Sequence, residues 1–417
     1  MKTFAVLALL AGVSLSAQML PQASPQEVGL SQERLDRIRP MMEKYIADNE
    51  MAGSIALVAR RGKVAYLQTF GMMDKEAGKP MSKDAIFRLF SMTKPIVAVA
   101  ALTLYEQGKF SLLDPVSKYI PEFANMKVAV NKTDPVTGKR VYYTVPAERQ
   151  ITILDLFRHT WGQTNAGPKD EKGEQIFNRV SVRDRPLAEG IKAMAAAPLV
   201  HQPGAAFDYS PGPDVVGRLI EIFSGQPLDV YLQQTIFKPL HMVDTDFYVP
   251  EAKWNRLATA YSRGPDDKIV RRPPAEQEAF IKTKPVYFEG SGGLVSTLTD
   301  YTRFAQMLLN GGELDGVRIL SPKSIELMSS DLLGDIPVAG GPILPGYGFG
   351  LTVAVNRGPA KTATIGSAGE YYWEGAAATD FCVDPKEKLI MVFMIQKNGG
   401  IAISREFKRV VYQSIVD

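Results

Sequence analysis

The chain has 417 residues, 45% hydrophobic and 22% charged, with 48 Lys and Arg against 45 Asp and Glu for a net charge near +3. That length and apolar content suffice for two packed subdomains with a substantial core. The small positive balance contains no long basic block and so lacks the electrostatic footprint of a nucleic-acid binder, while a single cysteine, Cys382, excludes an intramolecular disulfide.

The first residues are Met1-Lys2-Thr3, an apolar stretch from Phe4 to Val13, and small residues at Ser14, Ser16 and Ala17. Charge, apolar core and small-residue site in that order predict a secretory signal peptide over 1–17, cleaved after Ser16 or Ala17, and a periplasmic or secreted protein. The apolar stretch is shorter than the ~20 residues a bilayer span needs and no later segment reaches that length, so no membrane span is expected in the mature chain. Gln32 to Asn49 carries Leu35, Ile38, Met41, Met42 and Tyr45 at helical spacing, and Ser54 to Ala59 and Val64 to Phe70 read as strands joined through Arg60-Arg61-Gly62-Lys63. From Ser91 to about Lys284 the pattern is helical and loop-rich, with segments at Ile153 to Arg158, Pro186 to Ala197 and Asp214 to Phe223, while the polar Lys132 to Arg149 reads as a surface loop. A helix at Thr299 to Asn310 precedes strand-like runs at Leu351 to Val355, Thr362 to Ile365, Ala376 to Val383 and Leu389 to Gln396, and a helix over Ser404 to Ile415 closes the chain. Strands at both ends with helices between predict an α+β fold: one antiparallel sheet built from both chain ends and flanked by helices, with a large helical subdomain inserted. The expected division is 24–90 with 290–417 for the sheet domain and 91–289 for the helical one. Cys382 falls within a predicted strand and reads as a buried structural thiol.

The chemistry is concentrated in Phe87-Arg88-Leu89-Phe90-Ser91-Met92-Thr93-Lys94-Pro95 and the apolar run from Ile96 to Tyr105. A helix from about Ser91 to Gln107 places Ser91 and Lys94 one turn apart on one face, so an ammonium reaches the serine hydroxyl. With no polar face, the helix is expected to be buried on nearly all sides, and its N-terminal N–H groups favour negative charge at Ser91. A serine three residues before a lysine also arises by chance about once in a chain of this size, with Ser91 then a simple N-cap and Lys94 a solvated first-turn residue. Two further elements bear on that choice. His201-Gln202-Pro203-Gly204-Ala205-Ala206-Phe207-Asp208-Tyr209-Ser210-Pro211 puts a tyrosine at a turn before a helix. Making a tyrosine a base near neutrality takes about 4 kcal/mol. An ammonium ~4 Å away supplies about that much at an effective dielectric of ~20, so Lys94 and Tyr209 make sense together. Glu370-Tyr371-Tyr372-Trp373-Glu374-Gly375-Ala376-Ala377 leads into a strand, where Gly375 would let a substrate approach and the N–H of Ala376 can pair with that of Ser91 as an oxyanion hole.

These pieces, with Leu156-Phe157-Arg158-His159-Thr160, Gly290-Ser291-Gly292-Gly293-Leu294-Val295-Ser296-Thr297 and Tyr347-Gly348-Phe349-Gly350, resemble the serine beta-lactamase and penicillin-binding-protein superfamily, on the class C branch that includes the family VIII carboxylesterases. The resemblance covers nearly the whole mature chain. It implies a beta-lactamase-like fold, Ser91 as nucleophile, Lys94 and Tyr209 sharing general acid–base duty, and the N–H groups of Ser91 and Ala376 holding the oxyanion. Three departures stand out. Pro211 occupies the place where the lactamase tyrosine motif ends in asparagine; Trp373-Glu374-Gly375 replaces a strand motif that begins with lysine or histidine; and Trp161 and Gln163 follow His-Thr where Ser and Leu are usual. A neutral indole cannot bind the substrate carboxylate that the lysine of the lactamases helps hold, and the Trp-x-Gly form is that of the esterase branch.

The expected function is therefore a serine hydrolase cleaving short-chain carboxylic esters through an acyl-enzyme on Ser91, with Trp373, Gly375, Pro211 and Tyr347 at the substrate. Tyr347 to Phe349 reads equally as core. The alternatives are a beta-lactamase or D-amino-acid peptidase, or an inactive binding protein on the same fold. A Ser-His-Asp hydrolase lacks its Gly-x-Ser-x-Gly elbow and has only His159, His201 and His241 to draw on, of which His159 reads as a loop-holding residue and the other two as surface residues. Arg158 reads as a structural ion-pair partner. No metal-ligand motif is present, and neither a metal nor a cofactor is expected.

Overall fold

A computed structural model of the chain describes residues 19–164, 183–278, 281–399 and 401–417. The predicted leader, 1–17, lies outside the described residues. The fold is α+β and centres on an eight-stranded sheet. Its strands in chain order are β1 Gly53–Arg60, β2 Lys63–Asp74, β3 Lys79–Pro80, β4 Tyr347–Phe349, β5 Ala354–Asn356, β6 Tyr371–Glu374, β7 Asp380–Asp384 and β8 Leu389–Ile395. They lie in the order β4-β5-β6-β7-β8-β1-β2-β3, so the two ends of the chain meet where β8 pairs antiparallel with β1 and Leu57 faces Val392. Both of these strands are buried along their whole length, which is why they read as continuous apolar runs without alternation. Between β1 and β2, Arg61 and Gly62 have φ of +55° and +76°, the pair of left-handed residues that matches strand twist in a two-residue hairpin.

The helices that matter for the site are α1 Gln32–Leu35, α2 Ile38–Ala47, α3 Thr93–Glu106, α4 Gly212–Ser224, α5 Leu298–Leu309 and α6 Ile401–Tyr412. Helix α5 packs on one face of the sheet, with Tyr301 and Phe381 ring centroids 5.1 Å apart, and α6 on the other, with Phe407 and Phe393 at 5.4 Å. Phe381 pairs with Val392 and Phe393 with Asp380, so the two phenylalanines belong to alternate positions and opposite faces. Helix α3 is buried from Thr93 to Leu104 and ends as expected, Gly108 entering the left-handed region (φ +69°) while Lys109 N–H closes on the Leu104 carbonyl at 3.1 Å.

Several expected elements differ. Gln32 to Asn49 is two helices, because Pro40 has no N–H to donate to the Asp36 carbonyl. Lys132 to Arg149 is no loop: Lys127–Thr133 and Arg140–Pro146 pair as an antiparallel hairpin, its turn held by Asp134 Oδ1 accepting from the N–H groups of Val136 and Thr137, both at 2.8 Å. Thr362 to Ile365 is no strand, since Pro359 starts a one-turn helix that ends with Ala363 at φ +51°. The predicted strand from Ala376 begins only at Asp380, and the Trp373 segment, expected to lead into it, is itself the end of β6.

Candidate active site

The sheet and the helical region are stitched together just before Ser91. Ile86–Arg88 pairs antiparallel with Val295–Thr297, and the Leu89 N–H donates to the Leu294 carbonyl at 2.9 Å. Phe90 then takes φ +47°, a left-handed conformation that a bulky residue rarely adopts, and a 3-10 turn over Phe90–Met92 delivers the chain into α3. Ser91 thus sits half-buried at the entry to the buried helix. One turn on, the Lys94 ammonium donates to Ser91 Oγ at 3.0 Å and to the Ser291 carbonyl at 2.6 Å, and it lies 4.7 Å from the centroid of the Tyr209 ring. Lys94 is only 3% exposed, yet among the described residues no carboxylate pairs with it directly. Its donors are aimed at the serine hydroxyl and a backbone carbonyl.

Tyr209 comes from a different part of the chain. Phe207–Asp208 runs parallel to Val338–Gly340, and the Tyr209 N–H donates to the Gly340 carbonyl at 3.0 Å. Its ring is wedged between His159, centroid distance 4.6 Å, and Trp373 at 5.5 Å, while the Trp373 indole N–H donates to the phenol oxygen at 3.3 Å. The next residue anchors the turn: Ser210 donates its N–H to His159 Nδ1 at 3.3 Å, and Ser210 Oγ accepts from the Trp161 indole at 2.7 Å. His159 is fully buried, and burial first and the Lys94 charge second hold its ring well below the usual histidine range. It is a neutral acceptor that locates Ser210, not a base. The unusual Trp161 therefore has a defined task beside the tyrosine.

The remaining expected residues divide. Trp373, 1% exposed, forms a packed wall against Tyr209 and, edge to face at 5.1 Å, Phe349. Gly375 does not open space for a substrate: a Cβ there would stand 2.3 Å from the Leu89 carbonyl oxygen and 2.3 Å from Thr379 Oγ1, so the glycine lets the end of β6 lie against the backbone two residues before Ser91. Its own N–H is committed to the Thr379 carbonyl at 2.7 Å. Ala376 follows at an exposed position in the turn. Pro211 is buried as the N-cap of α4, its carbonyl accepting from the Asp214 N–H at 3.0 Å, and presents little surface to a substrate. Tyr347 is not with Ser91 at all. Its hydroxyl donates to Glu370 at 3.4 Å and its ring meets Tyr372 at 5.3 Å, in a cluster with Lys408 and Tyr412 of α6. The same face holds Glu374, paired across strands with Asp380. Burial pushes the Glu374 carboxyl up to about 7, with Arg405 3.9 Å away acting the other way. Glu374 accordingly does not point into the cleft. Arg158 pairs with the buried Asp155 at 3.2 Å, His201 with Asp208 at 3.1 Å, and Cys382 is buried in β7.

Two participants were not singled out from the sequence. The Ser291 carbonyl reaches Lys94 from the Gly290-Ser291-Gly292-Gly293 loop, and the buried Asp214 of α4 accepts from the Ser291 N–H at 2.7 Å. Burial first, and Glu289 second, push the Asp214 carboxyl up to about 7. The available signal was an acid in the first turn of a helix opposite a glycine-rich loop. Taken together, a serine hydroxyl in contact with an ammonium, with a phenol beside that ammonium, is equipped for attack on a carbonyl and for passing the serine proton onward.

The beta-lactamase family pattern matches residues 37–410 of the chain. Protein Rv1367c of Mycobacterium tuberculosis is 35% identical over 367 residues, covering 85% of this chain and 88% of its own. Esterase EstB of Burkholderia gladioli is 30% identical over 390 residues, covering 88% and 91%. Among solved structures, EstCE1, described as a hydrolase with promiscuous acyltransferase activity, superposes with a TM-score of 0.72 at 24% identity over 92% of this chain and 99% of its own.

Proposed function

We propose that this chain, which belongs to the beta-lactamase family and is a serine hydrolase, cleaves short-chain carboxylic esters through an acyl-enzyme on Ser91. The observation that carries the reading is the residue at the end of β6. By the family resemblance, Trp373, an uncharged indole packed on Tyr209, takes the motif position at which the lactamases carry a lysine or histidine for the substrate carboxylate, and desolvating a carboxylate without an ionic partner costs more than an aromatic wall returns. An ester without a carboxylate has no such requirement. The likeness to an esterase over most of both chains supports the same choice. A beta-lactamase or D-amino-acid peptidase is the second reading, and nothing at position 373 favours it.

In the proposed mechanism Ser91 Oγ attacks the ester carbonyl while its proton passes to the unprotonated member of the Lys94–Tyr209 pair, and the oxyanion is held by the backbone N–H groups of Ser91 and Ala376. The pair returns the proton to the leaving alkoxide, giving alcohol and acyl-Ser91. Water then attacks the acyl carbon, its proton is taken by the same pair and returned to Ser91 Oγ as the acyl–oxygen bond breaks, and carboxylic acid and free Ser91 result. We further propose export to the periplasm or medium after cleavage at Ser16 or Ala17; a mature species retaining Met1 in intact-mass measurement would contradict that. The chemistry is tested by a fluorophosphonate that forms a covalent adduct with an activated serine. The expected adduct maps to Ser91 and is absent in Ser91→Ala, together with all p-nitrophenyl butyrate hydrolysis. Retained hydrolysis in Ser91→Ala would refute the assignment.

A further inference from the structure

Ser291 is gripped at both ends. Its N–H donates to Asp214 Oδ1 at 2.7 Å and its carbonyl accepts from the Lys94 ammonium at 2.6 Å, so one residue links a buried carboxyl on α4 to the lysine that touches Ser91 Oγ. The loop around it has little stiffness of its own, since Gly290, Gly292 and Gly293 carry no side chains to hold their positions. Gly290 lies close enough to α4 that a Cβ would stand 2.5 Å from the Pro213 carbonyl oxygen, and Gly292 lies against Phe90. The loop therefore runs from the N-terminus of α4 to the residue beside the nucleophile, and Asp214 is the side chain that ties its centre down. Asp214 sits in the first turn of α4, where the helix dipole favours an acid, and it is 4% exposed. The groups facing it are Glu289, the hydroxyls of Tyr287 and Ser291, and Lys94, with Arg183 engaging Glu289 at 2.7 Å on the far side. Whether ionised or protonated, a carboxyl keeps an oxygen able to accept from the Ser291 N–H.

From this arrangement we infer that Asp214 is a positioning residue of the reaction: acting through Ser291, it fixes the carbonyl that aims the Lys94 ammonium at Ser91. A lysine without that carbonyl is free to swing its flexible stem, and a displacement of about 1 Å at a reacting group costs about 100-fold in rate. The inference rests on Ser91 being the nucleophile, and the test separates the two.

The test measures the second-order rate of fluorophosphonate labelling, and kcat and KM for p-nitrophenyl butyrate per labelled site, in the wild type, Asp214→Ala and Asp214→Asn. Counting only labelled sites removes any loss of folded protein, which is the effect a purely structural residue would have. Asp214→Ala is expected to lower the labelling rate and kcat about 100-fold with KM within about 3-fold, and Asp214→Asn, which keeps an acceptor for the Ser291 N–H, to recover all but about 10-fold. Asp214→Ala with wild-type kcat per labelled site overturns the inference, as does an Asp214→Asn no faster than Asp214→Ala. Should Asp214→Ala fail to fold, Asp214→Asn decides alone, and a loss of about 100-fold there overturns it. A wild type that does not label at Ser91 refutes the nucleophile assignment instead.

Discussion

Ser91 and Lys94 were legible as neighbours from their three-residue spacing, whereas Tyr209 could be joined to them only by its chemistry. Ser291 was not legible, because what it offers Lys94 is a backbone carbonyl, a group every residue has; only the folded loop singles it out. Trp373 was legible as a residue but not in its task, since its identity says nothing of the 3.3 Å indole contact to the Tyr209 oxygen. That contact makes a prediction at this scale. Trp373→Phe keeps the aromatic wall and removes one donor to the phenol, a loss of about 1 kcal/mol that lowers kcat for p-nitrophenyl butyrate up to about 10-fold. An unchanged kcat would mean that the indole serves only as packing.

Among elements, those with an uninterrupted period were read from the sequence and those whose pattern is broken or disguised were not. The apolar run of α3 left no alternative to a buried helix, and the β1–β2 hairpin carries its own turn signal at Arg61-Gly62. The hairpin of Lys127–Thr133 and Arg140–Pro146 reads as loop because it is largely exposed on both faces, Val141 and Tyr143 included, and polar residues such as Lys132 interrupt the apolar alternation. The end of β6 misleads for another reason: Gly375 suggests room for a ligand, whereas the space is already filled by the Leu89 carbonyl. Gly375→Ala is predicted to force β6 away from the Leu89 backbone at a cost of about 1–3 kcal/mol. The proportionate loss of esterase activity should exceed the loss of folded protein in a thermal melt, because the displaced segment adjoins both Ser91 and Ala376. A variant with wild-type melting temperature and activity would show that the contact is dispensable.

For the whole molecule, strands clustered at the two chain ends were enough to foresee one sheet assembled from both and flanked by helices, while the placing of α5 and α6 on its opposite faces came with the structure. What the sequence withheld was which face each polar residue of β6 occupies, and so the buried pair of Glu374 and Asp380 beneath α6 came only with the register. Burial raises Glu374 from the ordinary value of 4.5 to about 7. Between those values the folded chain keeps a proton that the unfolded chain has lost, so this group's contribution to stability falls as pH rises through that window. Glu374→Gln stays neutral, and its unfolding free energy relative to wild type should rise by up to about 3 kcal/mol between about pH 5 and about pH 8 in urea titrations. A gap that does not change with pH would contradict a buried titrating carboxyl. If Trp373 suits the Ser91 site to an uncharged ester rather than to a carboxylate-bearing substrate, the contrast appears in kcat/KM for p-nitrophenyl butyrate against a chromogenic cephalosporin. The expected preference is for the ester by at least about 100-fold, or about 3 kcal/mol in transition-state binding; a preference for the cephalosporin would contradict the ester site.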